Sequence, residues 1–402
     1  MTEIFSFFLI IIVILIFFYI AIIKPEIRNI IITALILRLI IIFIGNYISL
    51  PDSQYDAKTF ENLAAVFAKD GFFEVLKNSN IENKSNFISL VIAVPYSLFG
   101  RDILIPITMN LLFSMGTIVL GWHVAKKIWN SSIAKKVAWI LAIYPSIILY
   151  SSVVLREVYI WFFLLLAINC IINWSKTNDL KMIVFAIINF YILSLFHGPL
   201  LLGAVVFLFI VVLEKIKKMY SVTKGKIKLK DVFVLTLIFV FFINLFIGNI
   251  DIPKLAGSSI IENINQILIR SENTTTGEAS YPIWSKFNDR NDIVFKLPAK
   301  LFLFYGFPLP WELQKISHLI FMFDSFFYLF LIFLLLKNFK YIWNNRTLRI
   351  LFIIFIFYSI IFSLGVGNFG TGFRHRTKFL FLLMLIVAPY LPKITFNRKI
   401  KN

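Results

Sequence analysis

Residues 4–23 read IFSFFLIIIVILIFFYIAII. This run holds one serine and no charge. A helix of that length covers roughly 30 Å, the thickness of a bilayer's hydrocarbon core. The same pattern recurs along the chain, and spans are expected at 4–23, 29–50, 103–124, 137–151, 157–174, 182–196, 198–213, 232–249, 316–336, 348–366 and 378–392. The period-2 alternation of a membrane barrel is absent from these runs, so the expected fold is all-α. Hydrophobic residues make up 59% of the chain and charged residues 15%, far from the balance of a soluble domain. The first run lacks a basic leader and a small-residue cleavage site, and it reads as a retained span.

The net charge of +19 does not point to nucleic acid, because most Lys and Arg sit in short loops between apolar runs. Lys24 and Arg28 form one such group. Lys126, Lys127, Lys135 and Lys136 form another, followed by Lys176 with Lys181, the lysine-rich segment 215–230, Lys337 to Arg349, and Lys393 to Lys401. Such loops mark the cytoplasmic side. Placing all of them inside decides two ambiguous segments. Residues 86–100 (NFISLVIAVPYSLFG) and 295–311 are apolar but short and proline-bearing. If 86–100 crossed, the four-lysine loop would lie outside, so both segments read as outer-surface helices. The expectation is a polytopic integral membrane protein of about 11 transmembrane helices, with the N-terminus outside and the C-terminus cytoplasmic. It forms a single membrane domain over 1–402, with a first outer loop at 51–102 and a second long outer loop at 250–315. The single cysteine, Cys170, excludes a disulfide framework. The Ile, Phe, Lys and Asn content suits an AT-rich bacterial genome.

The residues suited to chemistry then fall on the outer face. Pro51-Asp52-Ser53-Gln54-Tyr55-Asp56 opens the first outer loop. A boundary carboxylate there acts as a general base toward a hydroxyl or helps hold a divalent ion; the competing reading of either aspartate is a helix N-cap. Arg156 and Glu157 stand at the outer end of a span, as a functional pair or as an interfacial anchor. The segment 365–376, GVGNFGTGFRHR, has four glycines followed by Arg374, His375 and Arg376. Cations on that side break the positive-inside tendency. Arginine suits bidentate binding of phosphate or pyrophosphate, and the alternative is an anchor for acidic lipid head groups. His197-Gly198-Pro199 reads as a tight turn or a site histidine. Arg38, the clearest charge inside a span, is expected to reach the same site or pair with an early acid.

The stretch from Pro51 to Leu166 resembles the amino-terminal half of GT-C-type membrane glycosyltransferases, relatives of protein mannosyltransferases and the aminoarabinose transferase. The likeness rests on Asp52 and Asp56, Leu98-Phe99-Gly100-Arg101, Lys126-Lys127-Ile128-Trp129, Tyr144-Pro145-Ser146 and Ser152 to Glu157. It covers roughly a third of the chain, and the acidic motif departs from the adjacent acidic pair of that family. The ending, Asn368-Phe369-Gly370-Thr371 with Arg374-His375-Arg376, resembles surface-polysaccharide repeat-unit polymerases. Both likenesses imply sugar transfer on the outer face of a bacterial inner membrane, from a polyprenyl phosphate or pyrophosphate carrier to a glycan or lipid-linked acceptor. They imply Asp52 or Asp56 as base or metal ligand, Arg156, Arg374 and Arg376 at the phosphate, and Glu157, His197 and His375 as further candidates. A polymerase proper, or a flippase or transporter of lipid-linked sugars, is the alternative. Membrane lipid is an expected partner and nucleic acid is not.

Overall fold

The computed structural model describes residues 2–77, 86–222, 268–269, 279–313, 315 and 317–392. The expected span 232–249, most of the loop 250–279 and the basic C-terminus lie outside these residues. Among the described residues the chain is helical, with one antiparallel bridge joining Ser280 to Asn368.

The helices used below, in chain order, are α1 (Thr2–Ile23), α2 (Arg28–Gly45), α3 (Asp56–Ala68), α4 (Phe72–Lys77), α5 (Phe87–Phe99), α6 (Leu104–Ile128), α7 (Ser131–Ile143), α8 (Pro145–Ser151), α9 (Glu157–Thr177), α10 (Leu180–Phe196) and α11 (Leu202–Val222). Further along the chain come α12 (Arg290–Phe295), α13 (Leu297–Gly306), α14 (Ser317–Lys337), α15 (Phe339–Asn344), α16 (Arg346–Leu364), α17 (Phe369–Arg376) and α18 (Leu380–Val387). Seven helical stretches are long and apolar enough to cross a bilayer, or eight if the bent pair α7–α8 counts as one span. The protein is therefore a polytopic helical membrane protein, with fewer such helices among the described residues than the about 11 expected. Two of the expected spans account for part of the difference. The helix over 182–196 is only 17 residues long. The run 378–392 breaks into a 3-10 turn, the eight-residue α18 and a second 3-10 turn, and every residue of α18 is buried. An all-apolar run has the same composition whether lipid or protein surrounds it, and here protein does. On α1, by contrast, Phe7, Phe8, Ile11, Leu15 and Ile22 are exposed.

Contacts define two ends of the bundle. At one end, Lys126 pairs with Glu26, Lys127 reaches Asn169 and Asn173, and Arg346 pairs with Glu214. At the other, Ser6 donates to Asp102, α5 packs on α3 through a Tyr96–Glu61 hydrogen bond, and the α9 and α3 N-termini meet α17. The segments 86–100 and 295–311 hold the short helices α5 and α13, each with several buried residues.

Two buried arginines repair breaks in the helices. Between α7 and α8 the chain turns by 57° at Tyr144-Pro145. Pro145 has no N–H to offer the carbonyl four residues back, Leu141, and the turn leaves Ala142 unserved as well. Arg38, wholly buried in α2, donates to both carbonyls at 3.2 and 3.1 Å, and to Ala34 and Ser114. It neither reaches the loop carboxylates nor pairs with an acid, contrary to the expectation from its position. Two of its partners are carbonyls freed about 100 residues away.

Arg376 does the same for α13. That helix ends at Gly306, leaving its last carbonyls without intrahelical donors. Arg376 donates to Phe304, Tyr305 and Phe307 at 3.0–3.2 Å, to Phe321 and Ser325 at 2.9 Å, and to Asp324 at 2.6 Å. Asp324 lies inside α14 and also accepts from Tyr144 and Ser146. Both members of this ion pair are almost completely buried.

Candidate functional site

The turn 50–55 lifts Asp52 out of the end of α2. Asp52 sits at φ +61°, a left-handed conformation that Asp tolerates better than most residues. Its carboxylate accepts a 2.9 Å hydrogen bond from Tyr150, which the α7–α8 bend delivers to this end of the bundle. Burial pushes the Asp52 carboxyl above its ordinary range, opposed by the Tyr150 hydroxyl and by Arg374. Asp56 is the first residue of α3, where a carboxylate also complements the helix dipole.

Arg374 links the two acidic elements. Its Nη1 donates to Asp56 at 2.5 Å and its Nε to Glu157 at 2.7 Å. The two contacts are unequal. The Asp56 side chain is 53% exposed, whereas Glu157, the first residue of α9, is fully buried. An exposed ion pair contributes about 0–1 kcal/mol, whereas breaking a buried one costs about 3–5 kcal/mol. Glu157 is also 3.8 Å from the buried ammonium of Lys378. Burial works against the Arg374 charge, but its two carboxylates more than offset it and hold the guanidinium protonated more firmly than usual.

The Lys378 Nζ lies 2.8 Å from His375 Nδ1. His197, at the C-terminal end of α10, lies with its ring tilted 47° to that of His375 at 5.3 Å. Arg156, the residue before α9, is buried, donates to the Phe196 carbonyl and lies over the Phe60 ring. Asp52, Asp56, Arg156, Glu157, His197, Arg374 and His375 thus gather at one end of the bundle. Arg376 does not join them. Two residues along a helix are about 200° apart, so α17 presents Arg374 to the acids and turns Arg376 into the interior. With its donors engaged, Arg376 has no hydrogen-bonding capacity left for a ligand.

Beside this network is a cavity of about 500 Å³ between the end of α2, α3, the start of α6 and residues 152–154. Ile42, Leu50, Ile107 and Val153 give it an apolar wall, while Lys58 and Arg101 supply cations. Arg101 is fixed on Glu61 at 2.5 Å yet its side chain stays 56% exposed. Among the described residues no group of three His, Cys, Asp or Glu side chains is arranged to hold a metal ion. Asp56 and Glu157 instead serve Arg374, so this donor set does not fit a divalent ion.

Lys378, Tyr150, Lys58 and Arg101 were not singled out from the sequence as parts of a site. Lys378 carried a signal, since it lies four residues beyond Arg374 on one helical face, but it opens an apolar run. Asp324 carried one too, as an acid inside a 21-residue apolar helix.

α17 is held by an unusual contact. The bridge at Ser280–Asn368 lays Tyr281 against it, and a Cβ on Gly372 would meet the Tyr281 hydroxyl at 2.5 Å. The next nearest atoms are at 3.6 Å. Gly372→Ala is expected to destabilise the protein by about 1–3 kcal/mol through overpacking. Adding Tyr281→Phe removes only the clashing oxygen and should restore thermal stability in detergent. A double variant no more stable than Gly372→Ala would contradict this packing.

Comparisons with family models, with curated proteins and with solved structures return no match to the chain.

Proposed function

We propose that the chain is a bacterial inner-membrane glycosyltransferase that works at the Asp52–Arg374 end of the bundle. It takes a sugar from a polyprenyl phosphate or pyrophosphate carrier and passes it to a glycan or lipid-linked acceptor in cell-envelope assembly. That end faces away from the cytoplasm, the N-terminus lies outside and the C-terminus inside, because among the described residues Lys126, Lys127 and Arg346 of the basic loops lie at the opposite end. The observation that carries the reading is the convergence of two loop carboxylates with Arg374, Arg156 and Lys378 at one end, next to a half-apolar cavity. A lipid-linked sugar requires this combination: an apolar wall for the carrier, cations for the phosphate and a base for the acceptor.

In the proposed reaction the acceptor hydroxyl oxygen attacks the anomeric carbon. The bond from that carbon to the carrier phosphate oxygen breaks, and its electron pair stays on the phosphate. Arg374 stabilises the charge that develops there. The hydroxyl proton passes to Asp52, whose buried carboxylate holds a proton more readily than an exposed one.

A pH profile tests the assignment. Asp52 acts as base only when deprotonated, so transfer should rise with pH through its raised pKa. This limb should lie above the ordinary carboxylate value and vanish in Asp52→Asn. The Tyr150 hydrogen bond lowers the Asp52 pKa, so Tyr150→Phe should move the limb to higher pH. Transfer at wild-type rate with an unchanged limb in Asp52→Asn would remove Asp52 from the reaction.

A further inference from the structure

We infer that the Asp56–Arg374 ion pair is the contact an anionic ligand exchanges on binding: a phosphate or pyrophosphate oxygen takes Arg374 Nη1 from Asp56, while Glu157 keeps the guanidinium in place. The inference deepens the proposed transferase reading by naming the exchangeable contact of its phosphate site.

Four observations carry it. Arg374 is bound from two sides through different nitrogens, so one partner can leave without releasing the other. The Glu157 side is closed: its carboxylate is fully buried and near a second buried cation, Lys378. The Asp56 side is open: the carboxylate is more than half exposed at the start of a helix. The Arg374 side chain itself is only 12% exposed, far less than that of its Asp56 partner. A phosphate oxygen arriving there meets a guanidinium already oriented by Glu157, which suits charge-assisted binding. Asp56 then swings into solvent with its negative charge intact. Glu157 acts as a positioning residue, and Asp56 as a competitor for the ligand.

The sign of this inference is unusual, because removing an acid from the site should strengthen binding. With inorganic pyrophosphate as probe and the full-length protein in neutral detergent, Asp56→Asn should bind about fivefold more tightly, the factor equivalent to an ion pair of about 1 kcal/mol. Asp52→Asn removes the same charge nearby but from the hydroxyl of Tyr150, so it should change affinity less. Glu157→Gln should weaken binding. Equal tightening in Asp52→Asn and Asp56→Asn would reduce the effect to general charge repulsion and overturn the inference, as would unchanged affinity in Asp56→Asn. Vesicles of phosphatidylglycerol against phosphatidylcholine distinguish the ligand's source: tightening confined to phosphatidylglycerol would assign the site to lipid head groups and overturn its role for a pyrophosphate ligand. Because binding is read without turnover, tighter pyrophosphate binding in a protein that forms no glycosidic bond would uphold the exchange while removing the transferase reading. Turnover without such tightening would do the reverse.

Discussion

Arg376→Ala should leave little folded protein. The substitution strands Asp324 as a buried carboxylate whose remaining partners are the hydroxyls of Tyr144 and Ser146. Removing one member of a buried pair costs about 3–5 kcal/mol. The carbonyls of Phe304 and Tyr305 also lose their donor, while those of Phe307 and Phe321 keep the Ser325 hydroxyl. Each buried unsatisfied acceptor costs about 1–3 kcal/mol more. Together these penalties match the whole stability of an ordinary domain, about 5–15 kcal/mol. Arg376→Lys keeps a charge for Asp324 but has no planar fork to span the carbonyls, and should fall between the two. The check is the yield of monodisperse protein in detergent and its midpoint of thermal unfolding. A well-folded Arg376→Ala variant would show that the α13 end and Asp324 are satisfied in some other way.

The second large effect concerns turnover. Arg374→Lys should abolish most transfer while leaving the protein folded. A lysine ammonium still neutralises buried Glu157 together with Lys378, so the α9–α17 junction keeps its charge balance. Its three donors share a single nitrogen, however, so an ammonium held at Glu157 cannot also stand where Arg374 Nη1 meets a phosphate oxygen. Losing one donor to transition-state charge costs about 10²–10³-fold in rate. Arg374→Ala should lose the same activity and also stability, because buried Glu157 then loses the cation that hydrogen-bonds it. Arg374→Lys with wild-type kcat would exclude this guanidinium from charge stabilisation.

These two variants also mark where the sequence stops being readable. The helical membrane class follows from apolar runs near 20 residues long, and gathering the loop residues at one end follows from counting basic loops. Neither separates Arg374 from Arg376. Read as a flexible loop, 367–377 offers both arginines to the same ligand. Folded as a helix, it sends them opposite ways, one to Asp56 and Glu157 and the other to Asp324. The partners of Arg38 and Arg376 were equally hidden, because a carbonyl freed by Pro145 or by the end of α13 leaves no mark on the distant residue that satisfies it. The surroundings of the run 378–392 are hidden for a different reason. Composition reports that a segment is apolar, not what packs around it, and α18 is enclosed by protein. Asp324 was legible in principle, since an acid in an apolar helix needs a partner and Arg376 supplies it.

The most direct test of the proposed transferase uses wild-type protein purified into liposomes with a polyprenyl-pyrophosphate-linked sugar and an acceptor glycan. The account predicts a new glycosidic bond and stoichiometric release of the carrier phosphate, with both products lost in Arg374→Lys. Carrier that crosses the bilayer with its sugar still attached, or no reaction with any lipid-linked sugar, would contradict it.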